Sequence, residues 1–570
     1  MTSIGIDFGT TNSVVATQTS SGVEVIDIDE APVEWAPYGF DKVFPSVMSR
    51  DEHGRLEFGW SAKSSSVGRF DAVKRLFATQ LDLAVDESGS AIAVEEVATM
   101  LFAELKRRAI ERGALPGVDS GVITVPANSK GRARHRTKLC AGMAGIEVLA
   151  LINEPTAAAM SYAKRHPEAR RLLVFDWGGG TLDVTLLESH DGIFIEQASA
   201  GLPRSGGLDF DSRLERIVRD AVPGLENLSG ADRHLLRLEV ELAKIRLSST
   251  EATTIELPGG QAHRVTRARF EQEVSPLLQQ AREPIERCLH DLGSSSAGID
   301  AVVLVGGTCR IPAVRNLVRD ILKLEPDPDI DPMTAVGEGA AIAAAILSGA
   351  IEDSDFFVAL EHALGTFVLD PSTGEHRFST IIPRGHKLPA VAADDFVPVV
   401  RETDGLTIKV VEGDPDASFP DFTPLKEWYV QLPSTYEEDS SRAITIQYDY
   451  DVDGILKVNV SDVDTGALLL EDDVSYGVAE DKRKLKQISD RAQAAVSSGT
   501  SQAGQTVDIT DPESLKLLTQ ARSKVIPFLD EDEASAVATA ADELESATPS
   551  DLESAKSALR DALRPFSYLL

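Results

Sequence analysis

Through the first 350 residues, short β-rich apolar runs alternate with segments whose apolar positions recur every three to four residues. The runs at 3–7, 121–125, 172–176 and 301–305 predict buried strands, and the segments 94–112, 130–144, 235–247 and 270–292 predict helices. Alternation of this kind is the pattern of an α/β domain. Past Gly349 it stops: acids and then an apolar cluster fill the stretch up to Leu360, which reads as a linker. From about Leu364 to Gly477 the apolar period drops to two, as at 406–411 and 443–448, between Asp, Gly and Pro turns, with Asp453-Gly454 a hairpin signal. From Glu480 the helical period returns, broken by the Ser/Gly/Thr/Gln stretch 497–505, expected to be a flexible gap, and by Pro512, Pro527 and Pro549. The chain therefore divides into an α/β domain over 1–350, a linker over 351–360, an antiparallel β module over 361–478 and a helical tail over 479–570.

Composition narrows the partners. Across 570 residues, 56 Lys and Arg stand against 91 Asp and Glu, a net charge of −35. Residues 394–477 alone hold 20 acids against 5 bases, so the β module carries a large share of it. Such a field repels nucleic-acid phosphates and anionic membranes, and neither is expected as a partner. The most apolar stretch, 335–350, is Ala-rich, too short to span a bilayer and interrupted by Glu338. The first residues lack the basic and apolar regions of a secretory signal. Three cysteines, Cys140, Cys288 and Cys309, without a Cys-x-x-Cys spacing, argue against a disulfide framework or a structural zinc and for a reducing, cytoplasmic location.

Three turns carry candidate chemistry. In Ile4-Gly-Ile-Asp7-Phe-Gly9-Thr10-Thr11-Asn12 a strand delivers a carboxylate to its end and then turns through glycine and two hydroxyls. Backbone N–H groups and hydroxyls in such a turn can wrap a phosphate, and the carboxylate can hold Mg²⁺ through water; an ordinary Gly hairpin is the plain alternative. Asp176-Trp-Gly178-Gly179-Gly180-Thr181 repeats the design after the strand 172–176. A tight turn explains one copy but not two, and the repetition implies duplicated halves facing each other across one phosphate group. In the third turn, Gly306-Gly307-Thr308-Cys309-Arg310, no Asp ends the strand; the glycines allow close approach of a flat ligand and Arg310 could stack on a purine.

With these turns in order, the sequence resembles the seventy-kilodalton heat-shock, or DnaK-type, chaperones within the actin and sugar-kinase ATPase superfamily. The likeness extends through Ala72-Val-Lys74-Arg75, Ile123-Thr-Val-Pro126, Asn153-Glu154-Pro155-Thr156, Gly206-Gly207-Leu-Asp209, Glu241-Leu-Ala-Lys244-Ile-Arg-Leu-Ser248 and Tyr450-Asp-Val-Asp-Gly454. It implies an actin-like ATPase domain of two ribonuclease-H-like halves, a β-sandwich peptide-binding domain and a short helical tail. It also implies roles. Gly9, Thr10, Thr11 and Asn12, with Gly178, Gly179, Gly180 and Thr181, would hold the phosphates of ATP or ADP. Asp7 and Asp176 would position hydrated Mg²⁺. Lys74 would align the attacking water, and Glu154 would complete the metal and water shell. Gly206, Gly207, Glu241, Lys244, Ser248, Gly306, Gly307 and Arg310 would surround the rest of the nucleotide, mainly its adenosine. Taken without the resemblance, Lys74 with Arg75 reads as a solvated pair, Glu154 as a helix-start acid before Pro155, and Glu241, Lys244 and Ser248 as one charged helix face.

Pro126, Arg134 and Lys138 are implied to couple hydrolysis to the linker and to a J-domain co-chaperone; alone, Arg134 reads as part of a basic solvated helix face. A nucleotide exchange factor is the other implied co-chaperone. In the β module the resemblance assigns Thr366, Val368, Phe396, Val399, Leu406, Ile408 and Ile444 to a peptide groove, although alternating apolar residues are more often plain core. An apolar groove on an acidic module is expected to prefer extended apolar peptides flanked by Lys or Arg. The chain departs from the pattern at Met333, where an Asp that helps close the adenosine site is expected, in the linker, and in the poorly matching tail. The function implied is an ATP-dependent chaperone that binds and releases unfolded or extended polypeptides. A nucleotide-gated scaffold for one client and a small-molecule phosphotransferase are the alternatives.

Overall fold

The computed structural model describes residues 2–569 except 79–82, 87–90, 128, 130, 191–192, 203–204, 226–227, 292–297, 352–359, 361, 371–372, 385, 388, 400–402, 414, 416–421, 434–441, 452–455, 475–481, 500–516, 519, 527–528, 530 and 546–551. Residues 352–359 of the linker expected at 351–360, the Asp453-Gly454 turn and most of the gap expected at 497–505 lie outside the described residues.

Two mixed sheets organise the α/β portion, and both are built in one order. In the first, Gly22–Val25, Asn12–Thr19 and Ser3–Phe8 are antiparallel neighbours, and Ser120–Val125 then adds parallel to Ser3–Phe8, followed by Glu147–Asn153. In the second, Ile193–Leu202, Leu182–His190 and Arg171–Trp177 are antiparallel, and Ala301–Val305 adds parallel to Arg171–Trp177. The strand that ends in the first Asp and its counterpart in the second sheet therefore hold equivalent central places. They are continuous apolar runs, as strands covered on both faces must be. We call the regions around the two sheets the first and second lobes.

Between the sheets lies Ala335–Leu347, the Ala-rich stretch noted above, buried over most of its length. Apart from Glu338, which pairs with Arg165 at 2.8 Å, it is apolar on nearly every side because it is covered on nearly every side. Its small residues let it approach closely: a side chain on Gly339 would collide with the backbone of Ala157 in Glu154–Arg165, and one on Gly5 with Ala341 itself. No helix among the described residues is long and apolar enough to cross a membrane.

Two helical expectations need adjustment. The pattern over 270–292 folds as two helices, Arg267–Gln280 and Arg282–Asp291, meeting at Ala281. Pro284 has no N–H for the carbonyl of Gln280, so one continuous helix would lose that bond. In Gly131–Met143 the basic face is only partly solvated. Arg136 is fully buried, paired to Glu95 at 3.0 Å and donating to the carbonyl of Leu76 at 3.0 Å.

The period-two region forms two four-stranded antiparallel sheets. One contains Ala363–Leu369, His376–Ile382, Gly405–Gly413 and Thr423–Gln431, the other Ala390–Phe396, Ile444–Tyr450, Leu456–Asp462 and Leu468–Val474. Inward positions alternate along Ile444–Tyr450 and Leu456–Asp462, and Tyr448, Val458 and Val460 are fully buried in the core that also holds Ile408 and Leu364.

The tail packs on the first lobe of the α/β portion. Lys482–Ser498 lies against Val94–Arg112, burying Ile488, Ala492 and Ala495 in the same core as Leu101, Phe102 and Cys140. Arg491 pairs with Glu96 at 2.6 Å, and Ser489 and Gln493 both donate to the carbonyl of Met143. Leu544 in Glu531–Glu545 and Leu559 in Leu552–Leu563 belong to this core as well.

Candidate functional site

A cleft opens between the lobes where the two equivalent strands end. Asp7, near the end of Ser3–Phe8, and Asp176, near the end of Arg171–Trp177, both line it, with Lys74, Glu154 and Pro126 on its walls. Lys74 donates to Glu154 at 2.6 Å, and the side chains are 9% and 12% exposed. Glu154 starts its helix with Pro155 following, and the fixed φ of proline suits the first helical turn.

Three carboxylates converge here on one lysine. Burial, reinforced by the charge of Glu154, pushes Asp7 up to about 7, against the opposing effects of Lys74 and of the Thr124 hydroxyl, which donates to Asp7 at 3.1 Å. Burial and the neighbouring charges of Glu154, Asp183 and Asp7 push Asp176 well above the ordinary carboxylate range. A pocket that holds more negative charge than it can neutralise is suited to a cation.

The glycine turns form a cradle that side chains would fill. A Cβ on Gly179 would meet the Thr11 hydroxyl, one on Gly180 would lie 2.9 Å from Arg75 and 3.0 Å from Thr10, and one on Gly206 would collide with the backbone of Gly179. Gly207 and Leu208 donate their N–H groups to the carbonyls of Gly178 and Gly179, and Thr308 donates to Gly178. The third turn is thus tied to the second, and Gly306, at φ +82°, sits too close to Trp177 for any side chain. The buried carbonyl oxygen of the Asn12 side chain has no hydrogen-bond partner. Buried carboxylates, an orphaned amide oxygen and facing turns free of side chains fit a Mg²⁺-bound polyphosphate.

Of the residues singled out in the sequence, the cleft gathers Asp7, Gly9, Thr10, Thr11, Asn12, Lys74, Pro126, Glu154, Asp176, Gly178, Gly179, Gly180, Thr181, Gly306 and Gly307. Glu241, Lys244, Ser248 and Arg310 are not among its lining. Glu241 pairs with Lys63 of the first lobe at 2.7 Å. Burial raises the Glu241 carboxyl, but Lys63 and Lys244 outweigh it and hold the group below its ordinary range. Lys244 pairs with Asp211 at 2.8 Å and donates to the carbonyl of Gly207, and Ser248 bonds back to its own helix at Lys244. Arg310 pairs with Asp331 at 2.8 Å and donates to the Tyr38 carbonyl.

Arg134 donates to the Asn153 side chain at 3.2 Å, Asn153 donates to Glu196 at 3.2 Å, and Glu196 pairs with Arg384 of the β-sheet region at 2.8 Å. Asn153 directly precedes Glu154. Glu412, in Gly405–Gly413, accepts from the Gly131 N–H at 3.1 Å. Lys138 lies in a surface hollow beside Leu485 and Asp490 of the tail. Among the groove candidates, Thr366, Ile408 and Ile444 are buried in the sheet interior, Val368, Phe396 and Leu406 are half-buried, and Val399 is exposed.

Sequence reasoning passed over several contributors. Arg75, half-buried and donating to the Gly180 carbonyl at 3.0 Å, braces the second turn; its place beside Lys74 was the available signal. Asp209 accepts from the Gly206 N–H at 2.7 Å and fixes the entry into its helix. Glu196 and Arg384, 188 positions apart in the chain, carried no local signal.

Matched sheets presenting carboxylates, a lysine and facing glycine turns to one cleft define a protein that binds nucleotide polyphosphates and positions a phosphoryl group for transfer. The sequence model of the family described as Hsp70 protein matches residues 72–567. The chain is 32% identical over 503 residues to the chaperone protein DnaK of Cyanidioschyzon merolae, covering 81% of this chain and 80% of that one. It is 32% identical over 508 residues to that of Thermus thermophilus, covering 81% and 79%. The chain belongs to the Hsp70 family: it is an ATP-dependent molecular chaperone and an ATPase.

Proposed function

We propose that residues 1–350 form an actin-like ATPase domain of two ribonuclease-H-like halves, that 351–360 link it to a peptide-binding β-sandwich over 361–478, and that 479–570 are a helical appendage. Bound Mg²⁺ would supply charge neutralisation at the phosphates of ATP, with Asp7, Asp176 and Glu154 holding its water shell. Lys74, fixed by Glu154, presents an ammonium where charge develops on the transferring group. Thr10, Thr11, Asn12 and Thr181, with the glycine N–H groups, orient the phosphates and exclude competing geometries. Positioning and charge are what phosphoryl transfer asks of a protein.

The observation that carries the coupling to peptide is the run Arg384, Glu196, Asn153, which reaches from the β-sandwich to the residue next to Glu154 and is braced from the side by Arg134. A change at the phosphates that moves Glu154 has a direct physical route to the sandwich, and differential stability of the docked arrangement in the two nucleotide states is all that allostery requires. A J-domain protein acting near Arg134 and Pro126, a nucleotide exchange factor and a cytoplasmic setting complete the reading.

The test is the affinity of a fluorescent extended apolar peptide with basic flanks, measured by anisotropy with ADP and with ATP. Binding at least tenfold tighter with ADP supports the cycle. Equal affinities would leave a nucleotide-binding ATPase whose β-sandwich acts as a constant scaffold.

A further inference from the structure

Residues 31–43 of the first lobe cross towards the second lobe beside the nucleotide cleft as two short turns, Ala36–Tyr38 and Phe40–Lys42. Trp35 packs edge-on against Phe40 at 5.3 Å and, tilted, against Trp60 at 5.1 Å. Together with Val43 these rings are buried in one apolar cluster with Leu242 and Met333 of the second lobe. Met333 also lines the cleft and lies so close to the third glycine turn that a Cβ on Gly307 would sit 3.1 Å from its sulfur. The residue that departs from the family pattern is therefore, with Leu242, the second lobe's share of an apolar contact between lobes.

Polar links close the same seam. The Arg310 guanidinium donates to the carbonyl of Tyr38 in the crossing segment and pairs with Asp331. The same Asp331 oxygen accepts the Met333 N–H at 3.0 Å, so the polar and apolar parts move as one unit. On the other side Lys63 lies 4.7 Å over the Trp35 ring while pairing with Glu241 across the seam. An apolar contact excludes water and must be pulled apart as a whole before the lobes separate, unlike a single exposed ion pair that exchanges readily with solvent.

We propose that segment 31–43 is a strap that latches the two lobes through Met333 and Arg310 and sets the rate at which nucleotide enters and leaves the cleft. The inference rests on the nucleotide reading of that cleft. A latch acts on passage in both directions, whereas a side chain that merely touches the ligand slows departure alone.

The experiment is stopped-flow association and dissociation of N-methylanthraniloyl-ADP with the full chain. Trp35→Ala and Met333→Asp are expected to raise both rate constants tenfold or more while Kd moves less than threefold. Trp35→Leu and Met333→Leu, which keep apolar volume at the seam, are expected to stay within threefold of the parent and guard against a variant that fails to fold. Single-turnover hydrolysis of prebound ATP stays unchanged in the Trp35 variants, since Trp35 does not line the cleft and Lys74 and Glu154 are untouched. A rise in the dissociation rate constant alone, or no change in either rate constant, would overturn the latch while leaving nucleotide binding intact. Failure of the parent protein to bind the probe would overturn the nucleotide reading, and the latch with it.

Discussion

Arg384→Ala removes the β-sheet side of the contact that runs through Glu196 to Asn153, the neighbour of Glu154. Arg384 and Glu196 lie 2.8 Å apart with side chains 25% and 13% exposed. Burial already pushes the Glu196 carboxyl up, and Arg384 is the first of the groups that oppose this. Deleting one member of a fully buried pair costs about 3–5 kcal/mol, and an exposed pair is worth about 0–1 kcal/mol. A pair a quarter open to solvent at one end falls between, at about 2 kcal/mol. That converts to roughly a 30-fold shift away from the docked arrangement. If docking is what lowers peptide affinity in the ATP state, peptide release on ATP addition slows by a factor of this order. Stopped-flow release of a labelled peptide reads it. Glu196→Gln should give a similar slowing, and the double variant should be no worse than either single one, because the two report one interaction. Additive effects, or release at the parent rate in both single variants, would refute the coupling route.

Lys74→Ala should lower the single-turnover rate by about 10²-fold or more while ATP still binds, because it deletes a charge aimed at the transferring group and leaves the glycine cradle intact. Gly206→Ala should abolish nucleotide binding in a calorimetric titration, since its Cβ would strike the backbone of Gly179, which cannot give way as a side chain could. In the absence of nucleotide, Asp7's own contribution to stability should fall as pH rises from 3.8 towards about 7, because folded Asp7 keeps its proton to a higher pH than the unfolded chain does, and the difference in melting temperature between parent and Asp7→Asn should change by that contribution across the range. Leu559→Ala should destabilise the first lobe by about 2–5 kcal/mol in denaturant unfolding, although it lies in the tail, because its side chain is fully buried in that lobe's core.

The residues that the cleft gathers were legible because their pattern is local. A strand, an Asp at its end and a glycine turn occupy consecutive positions, so Asp7 with Gly9 and Asp176 with Gly178 could be read in one pass, and their repetition suggested paired halves. What lay beyond reach was set by partners distant in the chain. The helical period of 130–144 marks Arg136 as one more basic residue, and only the fold supplies the Glu95 that makes its burial tolerable. Glu241, Lys244 and Arg310 are each held by a partner from elsewhere in the chain, Lys63, Asp211 and Tyr38, which no local pattern names. Period-two alternation cannot separate a groove from a core, and Ile408 and Ile444 lie in the core. The apolar face of 482–498 was readable; that it covers Val94–Arg112 was not, because amphipathicity names a face and not its partner.

The account stands or falls on whether the Lys74 and Glu154 site answers to the β-sandwich. Single-turnover ATP hydrolysis by the full chain, with and without an extended apolar peptide flanked by lysines, addresses this most directly, with Lys74→Ala as the control. The account predicts slow basal hydrolysis that the peptide accelerates and that the variant loses in both conditions. Hydrolysis at one rate whatever the peptide, still dependent on Lys74, would contradict it.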